Sequence, residues 1–181
     1  MQKIKQTIDI ELKKRYTINI KLTVVCIYSI RGYREMEKAC CAFGHREVFE
    51  NISKTISSAV KTAAEHGCKT FYTGAMGRFD EIFSSEVRAL KKDFPNIKLI
   101  CVMPYMTNEI NTQGDYLYTL YDDILVPTEL ADVHYKAAIT KRNQWIIQRS
   151  ELVIVYTRRN FGGAYNAKRY AQRLKKAIIT I

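Results

Sequence analysis

The chain has 181 residues, 47% hydrophobic and 26% charged, with a formal net charge of +11. That length gives one domain with a full core, and the balance excludes a wholly disordered or a membrane-embedded chain. The five cysteines (Cys26, Cys40, Cys41, Cys68 and Cys101) form no CxxC and lie mostly in apolar runs. They read as small buried residues in a reducing cytoplasm rather than a disulfide frame or a zinc site.

Residues 1–35 hold eight Lys or Arg against three Asp or Glu, close to half of the net excess. Basic charge attracts polyanions without saying which, and the ordinary reading is a solvated surface. Within this leader Ile18, Ile20, Leu22 and Val24 alternate with polar residues, the pattern of a strand. The apolar run Val24–Ile27 is too short to span a membrane, and no signal-peptide pattern is visible. Met36 is the expected natural start, which makes the leader a weakly ordered segment or a start-site artefact. The rival is an extra strand on a sheet edge.

From Lys38 onward strands and helices alternate. Lys38–Phe43 is a short apolar strand. Val48–His66 reads as a helix with Phe49, Ile52, Ile56, Val60 and Ala63 on one face, stopped by Gly67. Thr70–Thr73 is a second strand and Phe79–Phe94 a second helix. Ile97–Met103 is a third, nearly all-apolar strand. Asn108–Asp123 is a polar and aromatic loop with a short helix, and Ile124–Val126 a short strand. Ala137–Ser150 is helical, Leu152–Tyr156 a strand, Gly163–Lys175 the last helix and Ala177–Ile181 the last strand. Strands apolar throughout, separated by helices, predict an α/β fold: a three-layer, doubly wound, mostly parallel sheet of Rossmann-like type. Residues 36–181 form that domain.

In such sheets ligands bind beyond the carboxyl ends of the strands, so the chemistry is sought in those loops. After the first strand comes Gly44-His45-Arg46. Arg46 can clamp a phosphate with paired hydrogen bonds, and His45 can donate one or act near neutral pH. After the second strand comes Gly74-Ala75-Met76-Gly77, then a helix that carries Phe79 and Asp80. A glycine turn at a helix N-terminus presents free N–H groups and a favourable dipole to an anion. It is neither GxGxxG nor a P-loop. Tyr105 after the third strand offers a stacking wall, and His134-Tyr135 could flank a base. Arg142-Asn143 are placed at the start of a helix that faces the same crevice. After the fifth strand, Gly162-Gly163-Ala164 make a second glycine turn at a helix N-terminus.

Phe43-Gly44-His45-Arg46, Gly74-Ala75-Met76-Gly77-Arg78-Phe79-Asp80, Arg142-Asn143 and Gly162-Gly163-Ala164 occur in that order. The set resembles the SLOG family of Rossmann-like proteins, in particular its YpsA-like branch, over about Lys38 to Ile181. The resemblance implies a nucleotide or nucleotide-derived ligand. It implies that the glycine turns hold phosphate and ribose, with ligand roles for Arg46 and Asp80. The wider superfamily includes the DNA-processing protein DprA and the cytokinin-activating phosphoribohydrolases. Ala75 stands where many members have a second glycine, and Ala164 where Thr is common. The last turn lacks the third glycine and the acid of the phosphoribohydrolases, which counts against N-glycosidic hydrolysis.

Two functions of different class follow. The favoured one is a nucleotide-ligand binding module, such as a sensor, with no other cofactor and no metal. The alternative is an enzyme acting on a nucleotide, with Asp80 or Glu86 as acid or base. DprA-like nucleic-acid binding is a third reading, not favoured because no aromatic-basic interleaving is seen along the sequence. No membrane partner is expected, the compartment is cytoplasmic, and homo-oligomerisation is left open.

Overall fold

The computed structural model describes residues 37–106 and 115–181. The leader and the first part of the 108–123 loop lie outside the described residues. Six strands form one sheet: β1 (Lys38–Phe43), β2 (Cys68–Thr73), β3 (Lys98–Val102), β4 (Asp123–Leu125), β5 (Leu152–Val155) and β6 (Ala177–Thr180). The helices are α1 (Ser53–Glu65), α2 (Arg78–Leu90), α3 (Tyr135–Gln148) and α4 (Gly163–Arg173). Residues 115–120 add a short helical stretch and Thr128–Leu130 a 3-10 turn.

The strand order is β4-β3-β2-β1-β5-β6, and every pairing is parallel. The first four strands step outward on one side of β1; the chain then returns to lay β5 on its other side. β1 is therefore the switch point, and the loops after β1 and β5 leave the sheet side by side in opposite directions.

Composition explains the layering. β1 reads KACCAF and is buried from Ala39 onward. Cys40 and Ala42 face a core filled by Ile56 and Val60 of α1 and by Phe79, Phe83 and Val87 of α2. Cys41 and Phe43 face the opposite core, with Ile146 and Ile147 of α3 and Ala164, Ala167 and Ala171 of α4. Successive strand side chains point to opposite faces, so a strand covered on both sides must be apolar at every position. The cysteines are the small members of these layers. Cys40, Cys41, Cys68 and Cys101 are all buried free thiols, and burial pushes Cys41 and Cys101 up to about 12.

The predicted elements match these to within a few residues, with one larger difference. The first helix begins at Ser53 rather than Val48, and Phe49, expected on one face with Ile52, Ile56, Val60 and Ala63, lies outside it and is 90% exposed. Residues 44–51 are drawn instead across the switch point. The Arg46 carbonyl accepts from the Arg78 N–H at 2.8 Å, and Glu50 pairs with Arg158 at 2.5 Å. No described helix is long and apolar enough to cross a membrane.

The β1 exit depends on one glycine. A Cβ on Gly44 would overlap the Phe79 ring, which is 1% exposed and stacked between Phe83 and Tyr156. Gly44→Ala should cost about 1–3 kcal/mol, the usual penalty for overpacking. Adding Phe79→Leu should return part of that loss in urea unfolding. An unchanged midpoint for Gly44→Ala would contradict this account of the packing.

Candidate functional site

The carboxyl ends of β1, β2 and β5, together with α3, enclose a cleft of about 320 Å³. From the β1 loop it is lined by Phe43, Gly44, His45 and Arg46. The β2 turn and the first turn of α2 supply Gly74, Met76, Gly77 and Asp80. Ile139, Arg142 and Asn143 come from α3, and Gly163 and Ala164 from the start of α4. Segments far apart in sequence thus meet at the switch point.

Ala75, Phe79, Gly162 and Glu86 do not line the cleft. Phe79 is core, and its contribution is to require glycine at position 44. Glu86 lies further along α2, so the two acid-base candidates, Asp80 and Glu86, are not brought together. Nor are Tyr105 and His134-Tyr135 in the cleft. His134 instead caps α3, accepting from the Lys136 N–H at 3.3 Å. Ile139 is a lining residue that motif reading misses. It lies three and four positions before Arg142 and Asn143, the spacing that puts helical residues on one face.

Arg142 sits in the middle of α3, not at its start, and is the largest fully buried side chain among the described residues, at 1% exposure. Its Nη1 donates to the Val102 carbonyl at the end of β3, at 3.0 Å. Its Nε has no partner, and none of the ion pairs among the described residues includes it. A Cβ on Gly74 would overlap the guanidinium, so glycine at that turn is what admits the arginine. A buried cation without an ion pair is costly. Burial draws its pKa below the usual arginine value, opposed by the Asp80 charge.

Asp80 is the one carboxylate in the lining. Its Oδ2 accepts from the Met76 N–H at 2.7 Å. Burial raises its carboxyl above the ordinary range, while the Met76 N–H and the Arg142 charge pull the other way. The β2 turn is thereby closed on itself. Met76 donates to Asp80, Ala75 donates to Thr73 Oγ1 at 3.4 Å, and Arg78 donates to the Arg46 carbonyl. The Ala75, Met76 and Arg78 N–H groups are thus engaged within the protein.

The second turn is open. Gly162 caps α4 at φ +92°, where side chains are disfavoured, and a Cβ at Gly162 or Gly163 meets nothing within 4 Å. The Asn166 N–H makes the first intrahelical bond, to Gly162. The N–H groups of Gly163, Ala164 and Tyr165 precede it and have no place in the helical ladder. Across the switch point, His45 Nε2 accepts from the Arg158 N–H at 2.9 Å and fixes the two loops together. The two glycine turns, alike in sequence, therefore differ: in the first the Ala75, Met76 and Arg78 N–H groups are taken up within the protein, while the second stands in open space.

The sequence model described as the YspA SLOG family, YpsA, matches residues 27–179. The chain belongs to that family. No curated protein matches the sequence significantly. Among solved structures, this SLOG protein is similar to DNA processing protein A from Helicobacter pylori, whose single-stranded DNA binding mode is described. The TM-score is 0.57 at 15% identity, over 82% of this chain and 68% of that one. DNA processing protein A (DprA) from Streptococcus pneumoniae is similar at a TM-score of 0.54 and 16% identity, over 79% of this chain and 50% of that one. This SLOG protein thus spans about half the length of the streptococcal chain. At these identities the likeness shows the fold, the parallel Rossmann-like sheet. Among the described residues, no cluster of His, Cys, Asp and Glu is placed to hold a metal ion.

Ala75 is one of two non-glycine residues with positive φ among those described, at +52°. For an L-residue this conformation costs about 1–2 kcal/mol. Ala75→Gly relieves that strain but adds about 0.4–1 kcal/mol of unfolded-chain entropy. A net gain of up to about 1 kcal/mol should appear as a higher midpoint in denaturant. A clear loss of stability would mean that the alanine methyl is supporting the turn.

Proposed function

We propose that this chain is a binding module whose cleft holds the phosphate end of a nucleotide or nucleotide-derived ligand. The observation that carries the reading is the Arg142 guanidinium: it lines the cleft, is 1% exposed, and leaves its Nε unpaired. Such a charge calls for an anion, and the same cleft contains the open N-terminus of α4. Backbone donors and a helix dipole on one side, with a buried cation on the other, make a phosphate site. Arg46, exposed at the rim, adds a second cation with bidentate reach. Membership of the SLOG family agrees with a ligand of this kind.

The catalytic alternative is supported less. Asp80 is occupied by the Met76 N–H and Glu86 is outside the cleft. DNA binding of the sort described for the H. pylori protein draws on net charge, much of which lies in residues 1–35.

A nucleotide at 100 times its dissociation constant should stabilise the protein by about 2.7 kcal/mol, visible as a thermal shift. Gly163→Asp places a carboxylate in open space at the start of α4, where the helix itself tolerates it. Like charges about 4 Å apart at an effective dielectric of ~20 repel by about 4 kcal/mol. Affinity for adenosine monophosphate should therefore fall by several hundredfold while circular dichroism is unchanged. Arg46→Lys should lose less, since the charge stays and only the paired geometry goes. A folded Gly163→Asp protein that binds as tightly as wild type would place the phosphate elsewhere.

A further inference from the structure

A second hollow, of about 310 Å³, adjoins the cleft and shares His45 and Arg46 with it. We infer that it is a nucleobase subsite, and that the ligand is a purine nucleotide whose ring stacks on Phe49 and the Arg158 guanidinium. The inference rests on the phosphate reading above and names the part of the ligand that the phosphate cleft leaves undefined.

Phe49 lines this hollow with 90% of its surface exposed, an aromatic face that the domain core does not use. The guanidinium of Arg158, on the facing β5 loop, lies 5.4 Å from the centroid of the Tyr156 ring. It also donates to Glu50 at 2.5 Å. The backbone of Arg158 is pinned by His45, whose ring in turn meets Tyr156 edge-on at 5.7 Å. These contacts hold the guanidinium on one side of the hollow before any ligand arrives. Aromatic rings and guanidinium planes are the surfaces on which bases stack, because every base offers a π face. Glu47 and Glu50 also line the hollow and offer acceptors, which suit the amino group of adenine or the amino and ring N–H donors of guanine. A ligand whose phosphate sits between Arg142 and α4 would run past Arg46 and His45, the residues common to both hollows, to reach them. The aromatic-basic interleaving missing along the sequence is thus present in space, built from the β1 and β5 loops.

The test is calorimetric titration of the full chain with ribose 5-phosphate, AMP, GMP and UMP. In the wild type a purine nucleotide should bind about 5- to 150-fold more tightly than ribose 5-phosphate, the range that stacking supplies. Phe49→Ala should bring the purine nucleotide down to the affinity of ribose 5-phosphate, and Phe49→Trp should keep the advantage. Phe49 is exposed, so neither change removes core. Gly163→Asp should weaken ribose 5-phosphate and nucleotide alike, which separates loss of the phosphate site from loss of the base site. Equal affinity for ribose 5-phosphate and AMP in the wild type, or a purine advantage that survives Phe49→Ala, overturns the base subsite and leaves the phosphate reading standing. UMP as tight as both purines overturns the choice of purine. If none of the four binds, both readings fall.

Discussion

A single buried charge organises the carboxyl edge of this sheet. Arg142 enters from α3, reaches the last carbonyl of β3 and fills the space that Gly74 leaves beside β2. Three elements are tied to one guanidinium. Taking an arginine out of water without an ion pair costs several kcal/mol, and the one hydrogen bond seen from its side chain, to Val102, does not offset that alone. A fold that keeps such a charge at the floor of a cleft is spending stability on something other than packing. Functional sites are where that trade is expected.

The two glycine turns show how similar local sequences diverge once the chain is folded. At the β2 turn the glycines serve protein geometry. Gly74 makes room for Arg142, and Gly77, at φ +149°, lets the Arg46 backbone approach. Asp80 then closes the turn by taking the Met76 N–H. At the α4 turn nothing fills the space, and the helix N-terminus remains available. Asp80 near Arg142 also tempers the cleft: its charge partly balances the arginine, and a phosphate held there, as proposed, would compete with it. On the proposed reading the cleft would favour an anion without being an indiscriminate cationic patch.

Much of this was readable from residue order. The strands were visible because burial on both faces demands uninterrupted apolar runs, as in Cys40–Phe43 and Val153–Val155. Loops that follow such strands gather at one edge, which groups Gly44–Arg46, Gly74–Gly77 and Gly163 from residue order alone. What could not be read were properties set by partners distant in sequence. Phe79 looked like part of a ligand motif because it sits beside Asp80, yet α2 turns it into the core. Phe49 fits the apolar periodicity of α1, but the helix begins only at Ser53, and Phe49 lies before it with its ring exposed. Arg142 gave no sign of burial, since arginine is mostly exposed and the space it occupies is created by a glycine far away in the chain. The left-handed backbone at Ala75 was equally invisible, being a property of the turn and not of alanine.

The central claim is that the buried guanidinium and the open end of α4 meet one anion. The direct measurement is a two-dimensional nitrogen-15 NMR titration of the full chain with AMP, following the Arg142 Nε–H and the Gly163 and Ala164 amides. These three signals should move together, along one binding curve, while the Met76 amide, already bonded to Asp80, moves least among the cleft residues. Saturable binding that leaves the Arg142 and Gly163 signals in place would contradict it.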